Sequence, residues 1–280
     1  MAERLKLEQT RLPETGRARG LVSSRTSGRR VDAASYVPPP ALAAFVESLW
    51  VGRWDLRGQP PHHTELLSDP CVNVVFEHGH GRREARVVGV WTRLWRRTLS
   101  ERGFVRAAKL RAGAVTAIFD APAAELGNSI VPLAGFDPDA ERLREAVLDP
   151  SDDAEGLAAL ARWLEARASG REDVGYREAV ALVERIASDP ELTSAQALAD
   201  AAGLSLRGLQ RLFRTHVGAT PKYVIRRNRL QEVATRIEQG EAPSLAELAA
   251  ELGYADQAHL TRDFKAIVGK SPRQFAASVG

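Results

Sequence analysis

The sequence predicts an α+β protein in which a small β-barrel or β-sandwich domain is followed by an all-α domain. Two patterns lead to this prediction. Between residues 50 and 136, short apolar runs alternate with glycine- and proline-rich turns, as in small β-sandwiches and barrels. Between residues 193 and 275, helical periodicities occur in a pattern that is repeated once. The length of 280 residues also exceeds what one hydrophobic core usually serves.

Composition and charge restrict the class of protein further. The single cysteine excludes an internal disulfide and fits a reducing cytoplasm, and no run approaches the ~18 apolar residues of a membrane span. Residues 1–31 hold 8 Lys+Arg against 3 Asp+Glu (+5), residues 32–175 hold 17 against 21 (−4), and residues 176–280 hold 14 against 12 (+2). The two terminal segments are basic and the central segment is acidic. This distribution favours nucleic acid as a partner of the terminal segments. Arginine greatly outnumbers lysine and alanine is abundant, as in proteins of GC-rich bacterial genomes, so we expect a bacterial protein that is cytoplasmic and nucleoid-associated.

The N-terminal part is interpreted as follows. Residues 1–35 lack a sustained period and predict a disordered basic tail. Apolar spacing between residues 42 and 49 predicts a short amphipathic helix, and an extended stretch begins at Trp50. Candidate strands follow at residues 64–68, 72–77, 86–92, 104–110 and 114–119. The expected domains are the tail at 1–35, a β-rich sensor or dimerisation domain at 36–136, connecting helices at 137–170 and a helical domain at 171–280.

The helical domain contains one pattern twice. Leu209, Arg211, Phe213, Gly218 and Pro221 recur 51 positions later as Leu260, Arg262, Phe264, Gly269 and Pro272, whereas Leu198-Ala199 recurs 50 positions later. The one-residue difference falls in the turn inside each copy, and an insertion tolerated there implies a helix on either side. Each copy therefore predicts a helix-turn-helix, the first at 193–216 and the second at 244–269, joined by a helix at 221–239.

The second helix of each copy has one apolar and one polar face. In the first copy, Leu209 and Phe213 share a stripe with His216, which is interpreted as a packed histidine. The opposite face carries Arg207, Arg211 and Arg214, with Gln210 on its flank. The corresponding face of the second copy carries Ala258, His259, Arg262 and Lys265, with Gln257 at the helix start. Residues 201–231 contain seven Lys or Arg, three of them at Arg226, Arg227 and Arg229, and no Asp or Glu. Positive charges this close together repel one another, which is unfavourable unless an anionic partner neutralises them.

These residues resemble the DNA-binding domain of the AraC/XylS transcriptional regulators. The resemblance lies in Gly-Leu-Ser, Leu-Gln-Arg-Leu-Phe-Arg and Gly-Ala-Thr-Pro of the first copy, and in Leu-Ala-Ala-Glu-Leu-Gly-Tyr, Leu-Thr-Arg-Asp-Phe-Lys and Gly-Lys-Ser-Pro-Arg-Gln-Phe of the second. It implies that the two second helices enter successive turns of the major groove. It further implies base or groove contacts by Arg207, Gln210 and Arg211 in the first copy, and by Gln257, His259 and Arg262 in the second. Gly208 and Ala258 depart from the bulkier or polar residues usual there.

Residues from Tyr36 to Ala114 look like the cupin-like domain of unknown function that precedes the DNA-binding half in some AraC-family regulators. Four histidines, His62, His63, His78 and His80, leave a cupin-type metal site open as an alternative, but their spacing to a glutamate does not fit the required set. No metal and no cofactor are therefore predicted. Cys71 is interpreted as a buried, inert thiol. An apolar effector pocket lined by one or two of Trp50, Trp54, Trp91 and Trp95 is a reasonable expectation.

Three functions remain as alternatives at this level. The first is a DNA-binding transcriptional regulator that responds to a small molecule or partner acting on the N-terminal domain. The second is a cupin-type metalloprotein fused to a DNA-binding domain, and the third is an effector-independent regulator whose N-terminal domain only dimerises. No nucleophile–base pair, catalytic carboxylate pair or phosphate-binding loop occurs in a supporting context, so an enzyme is not predicted. The expected partners are double-stranded promoter DNA, a small-molecule effector, a second copy in a homodimer and, for an activator, RNA polymerase, but no membrane.

Overall fold

A computed structural model describes residues 9–10, 31–66, 69–168, 174–241 and 244–279. In these segments the β-strands are β1 (Gln9–Thr10), β2 (Val31–Tyr36), β3 (Val46–Asp55), β4 (His62–Leu66), β5 (Asn73–Gly79), β6 (Arg82–Val88), β7 (Trp95–Leu99), β8 (Arg102–Leu110) and β9 (Ile130–Pro132). Seven of them form an antiparallel sheet in the order β1-β2-β3-β8-β5-β6-β9, while β4 and β7 pair as a separate two-stranded ribbon. The β-rich N-terminal domain predicted from the sequence is confirmed.

The seven-stranded sheet is apolar on both faces because its central strands are covered on both sides. On one face, Val74, Phe76 and Leu110 join the main hydrophobic core together with the helices of the domain. On the other face, Trp54 and Val105 pack with Leu99 of the β4–β7 ribbon. The period-2 alternation of strand side chains places these two sets on opposite faces.

Three helices complete the N-terminal domain: α1 (Val115–Phe119), α2 (Ala140–Leu148) and α3 (Asp153–Ala168). The fully buried Arg106 of β8 anchors the turn between α2 and α3. Its guanidinium donates to the Val147 carbonyl (2.6 Å), to the Pro150 carbonyl (2.9 Å) and to the Asp153 carboxylate (2.9 Å). A buried charge is tolerated where all its donors find partners of this kind. Both α2 and α3 lie inside the segment predicted to hold the connecting helices.

Four local predictions for this domain are wrong. The predicted strand at 114–119 is helix α1, whose apolar run is too short for periodicity to distinguish the two states. The predicted helix between residues 42 and 49 is reduced to a 3₁₀ turn at Pro40–Leu42, after which β3 begins. The predicted strand at 86–92 lies earlier, at Arg82–Val88, and β7 was missed. The disordered tail predicted for residues 1–35 is wrong at Gln9–Thr10 and Val31–Tyr36, which form strands β1 and β2 and pair with each other, and β2 also pairs with β3; residues 1–8 and 11–30 lie outside the described residues.

The C-terminal domain is helical, with α4 (Val174–Ser188), α5 (Ala195–Ala201), α6 (Leu206–Leu212), α7 (Pro221–Gln239), α8 (Leu245–Glu251), α9 (Gln257–Val268) and α10 (Pro272–Val279). A π-helical turn, Phe213–Val217, continues α6. The first helix-turn-helix unit is α5 and α6, and the second is α8 and α9. Phe264, Leu260 and Leu248 lie in a core of their own with Leu230 of α7, so the second unit is packed around the helix that joins it to the first.

The first unit and the N-terminal domain share the main hydrophobic core, which includes Phe213 and Val224 as well as the sheet residues. At the end of the π-helical turn, Gly218 adopts φ +77°, and a β-carbon there would lie 2.8 Å from the Ala123 carbonyl oxygen. Thr116 of α1 is hydrogen-bonded to His216 Nδ1 (2.9 Å). His216 is buried, which agrees with its interpretation as a packed residue.

Candidate nucleic-acid interface

Side-chain caps define the N-terminal ends of the four helices in the two units. Ser194 Oγ accepts a hydrogen bond from the Ala197 amide, and Ser205 Oγ accepts one from the Gly208 amide, each at 3.1 Å. In the second unit Ser244 and Glu247 form a reciprocal capping box at the start of α8. The Asp256 carboxylate accepts the His259 amide (2.6 Å) at the start of α9. These caps fix where each second helix begins, and therefore which of its side chains face outward.

Matching turns join the helices within each unit. Gly203 and Gly253 end the first helices, and both adopt φ +67°. Glycine is the residue that reaches this left-handed conformation without strain from a β-carbon. The two copies identified in the sequence therefore have the same local construction.

The second helix of each unit buries its apolar face and exposes the opposite one. Leu209 and Phe213 of the first unit and Leu260 and Phe264 of the second are fully buried. All eight predicted contact residues are exposed: Arg207, Gln210, Arg211 and Arg214 in the first unit, and Gln257, His259, Arg262 and Lys265 in the second. The structure thus places the predicted residues on two outward-facing surfaces, one on each unit, with three cationic side chains on the first and two on the second.

His259 is held more firmly than the sequence indicated. Its ring packs edge-on against Tyr254 (5.2 Å between centroids), and Nε2 lies 3.9 Å from the Asp263 carboxylate. Asp263 in turn pairs with Arg226 of α7 at 2.8 Å. The exposed imidazole therefore belongs to a chain of contacts that connects α9 to the helix between the units.

The three arginines on α7 do not extend the exposed cationic surface. The absence of Asp and Glu between residues 201 and 231 had suggested that an anionic partner binds this whole segment. Arg226 pairs with Asp263, and the buried Arg227 pairs with Asp69 of the N-terminal domain. Arg229 stacks over the Tyr254 ring, 4.0 Å from its centroid. Burial lowers the pKa of Arg229 and raises the pKa of Tyr254 to about 12, with Arg229 acting against the second shift. Two carboxylates and one aromatic ring, all distant in sequence, thus pair with or cover these three arginines.

The N-terminal histidines do not converge. His63 bonds Thr98 across the β4–β7 ribbon (3.0 Å), His78 packs edge-on against Phe104, and His80 lies near the Ser100 hydroxyl. Among the residues that the structure describes, no group of three or more His, Cys, Asp or Glu side chains is placed to hold a metal ion. The described helices also include none that is long and apolar enough to cross a membrane.

Cys71 lies in a polar cluster that the sequence did not reveal. The thiol is buried, and burial raises its pKa, while the nearby Lys109 ammonium acts in the opposite direction. Lys109 pairs with both Glu47 (2.9 Å) and Asp69. A protonated, buried thiol fits the interpretation of Cys71 as inert.

The tryptophans contribute mainly to packing. Trp54 is buried and donates to the Ser100 carbonyl (3.1 Å), and the half-buried Trp50 donates to the Asn73 side chain (3.3 Å). A groove of about 580 Å³ lies elsewhere, on α2 and α3. Its lining is mixed in charge and contains Arg142, Glu145, Asp149, Glu155 and Arg162, but no tryptophan. The expected tryptophan-lined effector pocket therefore remains a prediction.

The fold and the interface define a two-domain protein in which a β-rich domain precedes a duplicated helix-turn-helix domain. Residues 198–278 match the family described as "Helix-turn-helix domain", and residues 34–132 match a "Domain of unknown function (DUF6597)". Residues 198–278 therefore match a helix-turn-helix domain of the AraC type, as the sequence resemblance implied.

Two curated proteins are similar over about 80 residues each. An "Uncharacterized HTH-type transcriptional regulator" of Haemophilus influenzae is 35% identical over 82 residues, which is 29% of this chain and 27% of that protein. The "HTH-type transcriptional activator RhaS" of Escherichia fergusonii is 34% identical over 84 residues, 30% of each protein. The chain thus spans less than a third of the length of these relatives.

Solved structures are similar at lower identity. ToxT from Vibrio cholerae is 9% identical with a TM-score of 0.41, over 89% of this chain and 99% of that one. The C-terminal domain of the response regulator AraT from Geobacillus stearothermophilus is 22% identical with a TM-score of 0.32, over 39% of this chain and 88% of that one.

Proposed function

We propose that the protein is a sequence-specific, DNA-binding transcriptional regulator that inserts α6 and α9 into successive turns of the major groove of one duplex. One observation carries the proposal. The eight side chains singled out in the sequence are all exposed, on two helices whose opposite faces are fully buried. Surface arginines alone would be an ordinary solvated face, but two matched cationic helices on capped, duplicated units fit the architecture of a nucleic-acid binder.

The chemistry of recognition follows from the residue types. Arg211 and Arg262 occupy equivalent positions in the two units, and a guanidinium gives two parallel hydrogen bonds to guanine O6 and N7. Gln210 and Gln257 carry amides that pair in the same bidentate way with adenine. Arg207 and His259 are the further base or groove contacts, whereas Arg214 and Lys265 neutralise phosphates and set the register of the helices on the duplex.

The N-terminal domain is proposed to sense a small molecule or partner, or to dimerise, and so to control the DNA-binding half. Its packing against the first unit through the shared core supports such control. A conformational change in the N-terminal domain would act on the π-helical turn that continues α6, because Thr116 is hydrogen-bonded to His216 there. The protein acts in the bacterial cytoplasm under this proposal. If it activates transcription, RNA polymerase is its further partner.

The test is a selection of bound fragments from the host genome, followed by gel-shift measurements on a selected fragment. Arg211→Ala and Arg262→Ala should each weaken specific binding by about 1–3 kcal/mol and relax selectivity at one base pair. Arg102→Ala removes one exposed arginine from the N-terminal domain and is the matched control, with binding unchanged. A wild-type protein that shifts no genomic fragment at low salt would refute the proposal.

A thermal-unfolding screen distinguishes the roles of the N-terminal domain. A small molecule that binds the native state must raise its stability. Stabilisation by a compound supports a sensor. A dimer that persists at high salt without any stabilising compound supports a dimerisation module.

A further inference from the structure

Two segments without acidic residues meet at the edge of the second helix-turn-helix unit. Residues 85–100 of the N-terminal domain contain four arginines and no Asp or Glu, and residues 264–280 contain Lys265, Lys270 and Arg273 and again no Asp or Glu. The two segments are about 170 positions apart in the chain, so their charges add up only where the fold brings them together.

The fold does bring them together. Leu94, which precedes β7, packs against the hydrophobic core of the second unit. Gly269 ends α9 with φ +81°, and a β-carbon there would lie 2.9 Å from Leu94 Cδ2 and 3.8 Å from Arg96 Nη2. The Gly269 amide donates to the Lys265 carbonyl (3.0 Å), which places this contact in the last turn of α9. The N-terminal domain therefore touches the second unit at the end of its exposed helix.

The four arginines of the first segment have different environments. Arg86 and Arg97 are largely buried and share Glu77, and Arg97 also stacks over Trp54. Arg93 and Arg96, which flank the docked Leu94, are exposed. Together with Lys265 and Lys270 they form a lateral patch of four cationic side chains, in which Glu65 is the register partner of Arg96 across the β4–β7 ribbon.

The patch continues the candidate DNA interface sideways. Lys265 belongs both to the outward face of α9 and to the turn that meets Leu94. A duplex carries one negative charge per about 1.7 Å of its length, so DNA that runs past the second unit presents phosphates beside this patch. Contacts of exposed arginines with phosphates add affinity but no sequence information.

We propose that Arg93 and Arg96 of the N-terminal domain bind backbone phosphates of the DNA that flanks the site of the second helix-turn-helix unit. The inference rests on the proposed DNA binding and deepens it, because it makes the β-rich domain part of the DNA-binding surface. The expected partner is duplex DNA of any sequence at this position.

The experiment measures the salt dependence of DNA binding by the full-length protein. Each lost phosphate contact lowers the slope of log K against log salt by about 0.9, so the double variant Arg93→Ser/Arg96→Ser should lower it by about 1.8. When the salt rises from about 50 to 200 mM, the double variant should therefore lose roughly tenfold less affinity for DNA than the wild type does. The reduction should be equal for specific and unrelated DNA.

Matched variants separate this role from a structural one. Arg82→Ser/Arg102→Ser removes two exposed arginines at the opposite end of the sheet and should leave the slope unchanged. Arg93→Lys/Arg96→Lys keeps both charges and should retain the wild-type slope. Arg93→Ser alone should lower the slope by about 0.9. This single variant keeps Arg96 beside α9, so it tests the inference even if the double variant folds poorly.

The outcomes distinguish this inference from the proposed function. A wild-type protein that binds DNA, with a slope that stays the same in Arg93→Ser and in the double variant, overturns the inference and leaves the proposed function intact. A wild-type protein that binds no DNA at low salt overturns both. A slope that falls equally in the Arg82→Ser/Arg102→Ser control shows a general charge effect and also overturns the inference.

Discussion

The ion pair between Asp69 and Arg227 connects the two domains and provides a quantitative test of how they are coupled. Both side chains are almost fully buried, with relative exposures of 11% and 6%. Asp69 also accepts Lys109, so its carboxylate lies between two cations. Asp69→Asn removes this shared carboxylate, while Lys109 keeps its ion pair with the partly exposed Glu47.

The expected magnitude follows from this burial. Removing one partner of a buried ion pair typically costs about 3–5 kcal/mol, because the other charge stays desolvated. We expect a loss of this size in the free energy of unfolding for Asp69→Asn, and a smaller loss for Arg227→Met, since Lys109 still neutralises Asp69. The double variant should lose less than the sum of the two single variants, with a coupling of about 1–3 kcal/mol.

The assay is urea-induced unfolding of the four proteins in this double-mutant cycle. The shared core should make the N-terminal domain and the first unit unfold together, which can be checked by the coincidence of tryptophan fluorescence and circular dichroism. The exposed pair Asp55–Arg57 is the control, with an expected coupling below about 1 kcal/mol. Additivity within about 0.5 kcal/mol for Asp69 and Arg227 would refute the reasoning.

Two further predictions concern a turn and a titration. Gly203→Ala should cost about 1–2 kcal/mol in denaturant unfolding because of its positive φ, and Gly218→Ala should cost clearly more, because its β-carbon would also meet the Ala123 carbonyl; equal losses would contradict the close contact. The hydrogen bond from Arg57 lowers the pKa of Asp55 below its usual 3.8, so an NMR titration should show the midpoint of this exposed carboxylate below that value. Arg57→Ala should move that midpoint up towards 3.8, and an unchanged midpoint would contradict the assigned cause.

Some of the site could be read from the sequence because its information is local. Caps at Ser194 and Ser244, glycines at the turns and the apolar stripes of α6 and α9 all lie within a few residues of the features they specify. Exposure of the eight predicted residues follows from the same helical period, since a helix that buries one face must present the other. The duplication strengthened each inference by providing two copies.

The wrong predictions fall on elements whose own sequence pattern is ambiguous or weak. The short run at 115–119 is apolar throughout, so neither a period of 2 nor one of 3.6 stands out in it. The strand at Val31–Tyr36 follows a polar segment and owes its pairing to β3 rather than to its own pattern. Such elements depend on what packs against them, and propensity does not contain that information.

By itself, the sequence determined the order of the two domains, the two helix-turn-helix units and the outward faces of α6 and α9. Only the tertiary structure decided that Arg227 faces Asp69, that His216 meets Thr116, and that Leu94 docks beside Gly269. Periodicity and caps act over a few residues, whereas each of these contacts joins positions about 100 or more residues apart. Their formation depends on how the packed elements cross, which the residues of one element do not specify alone.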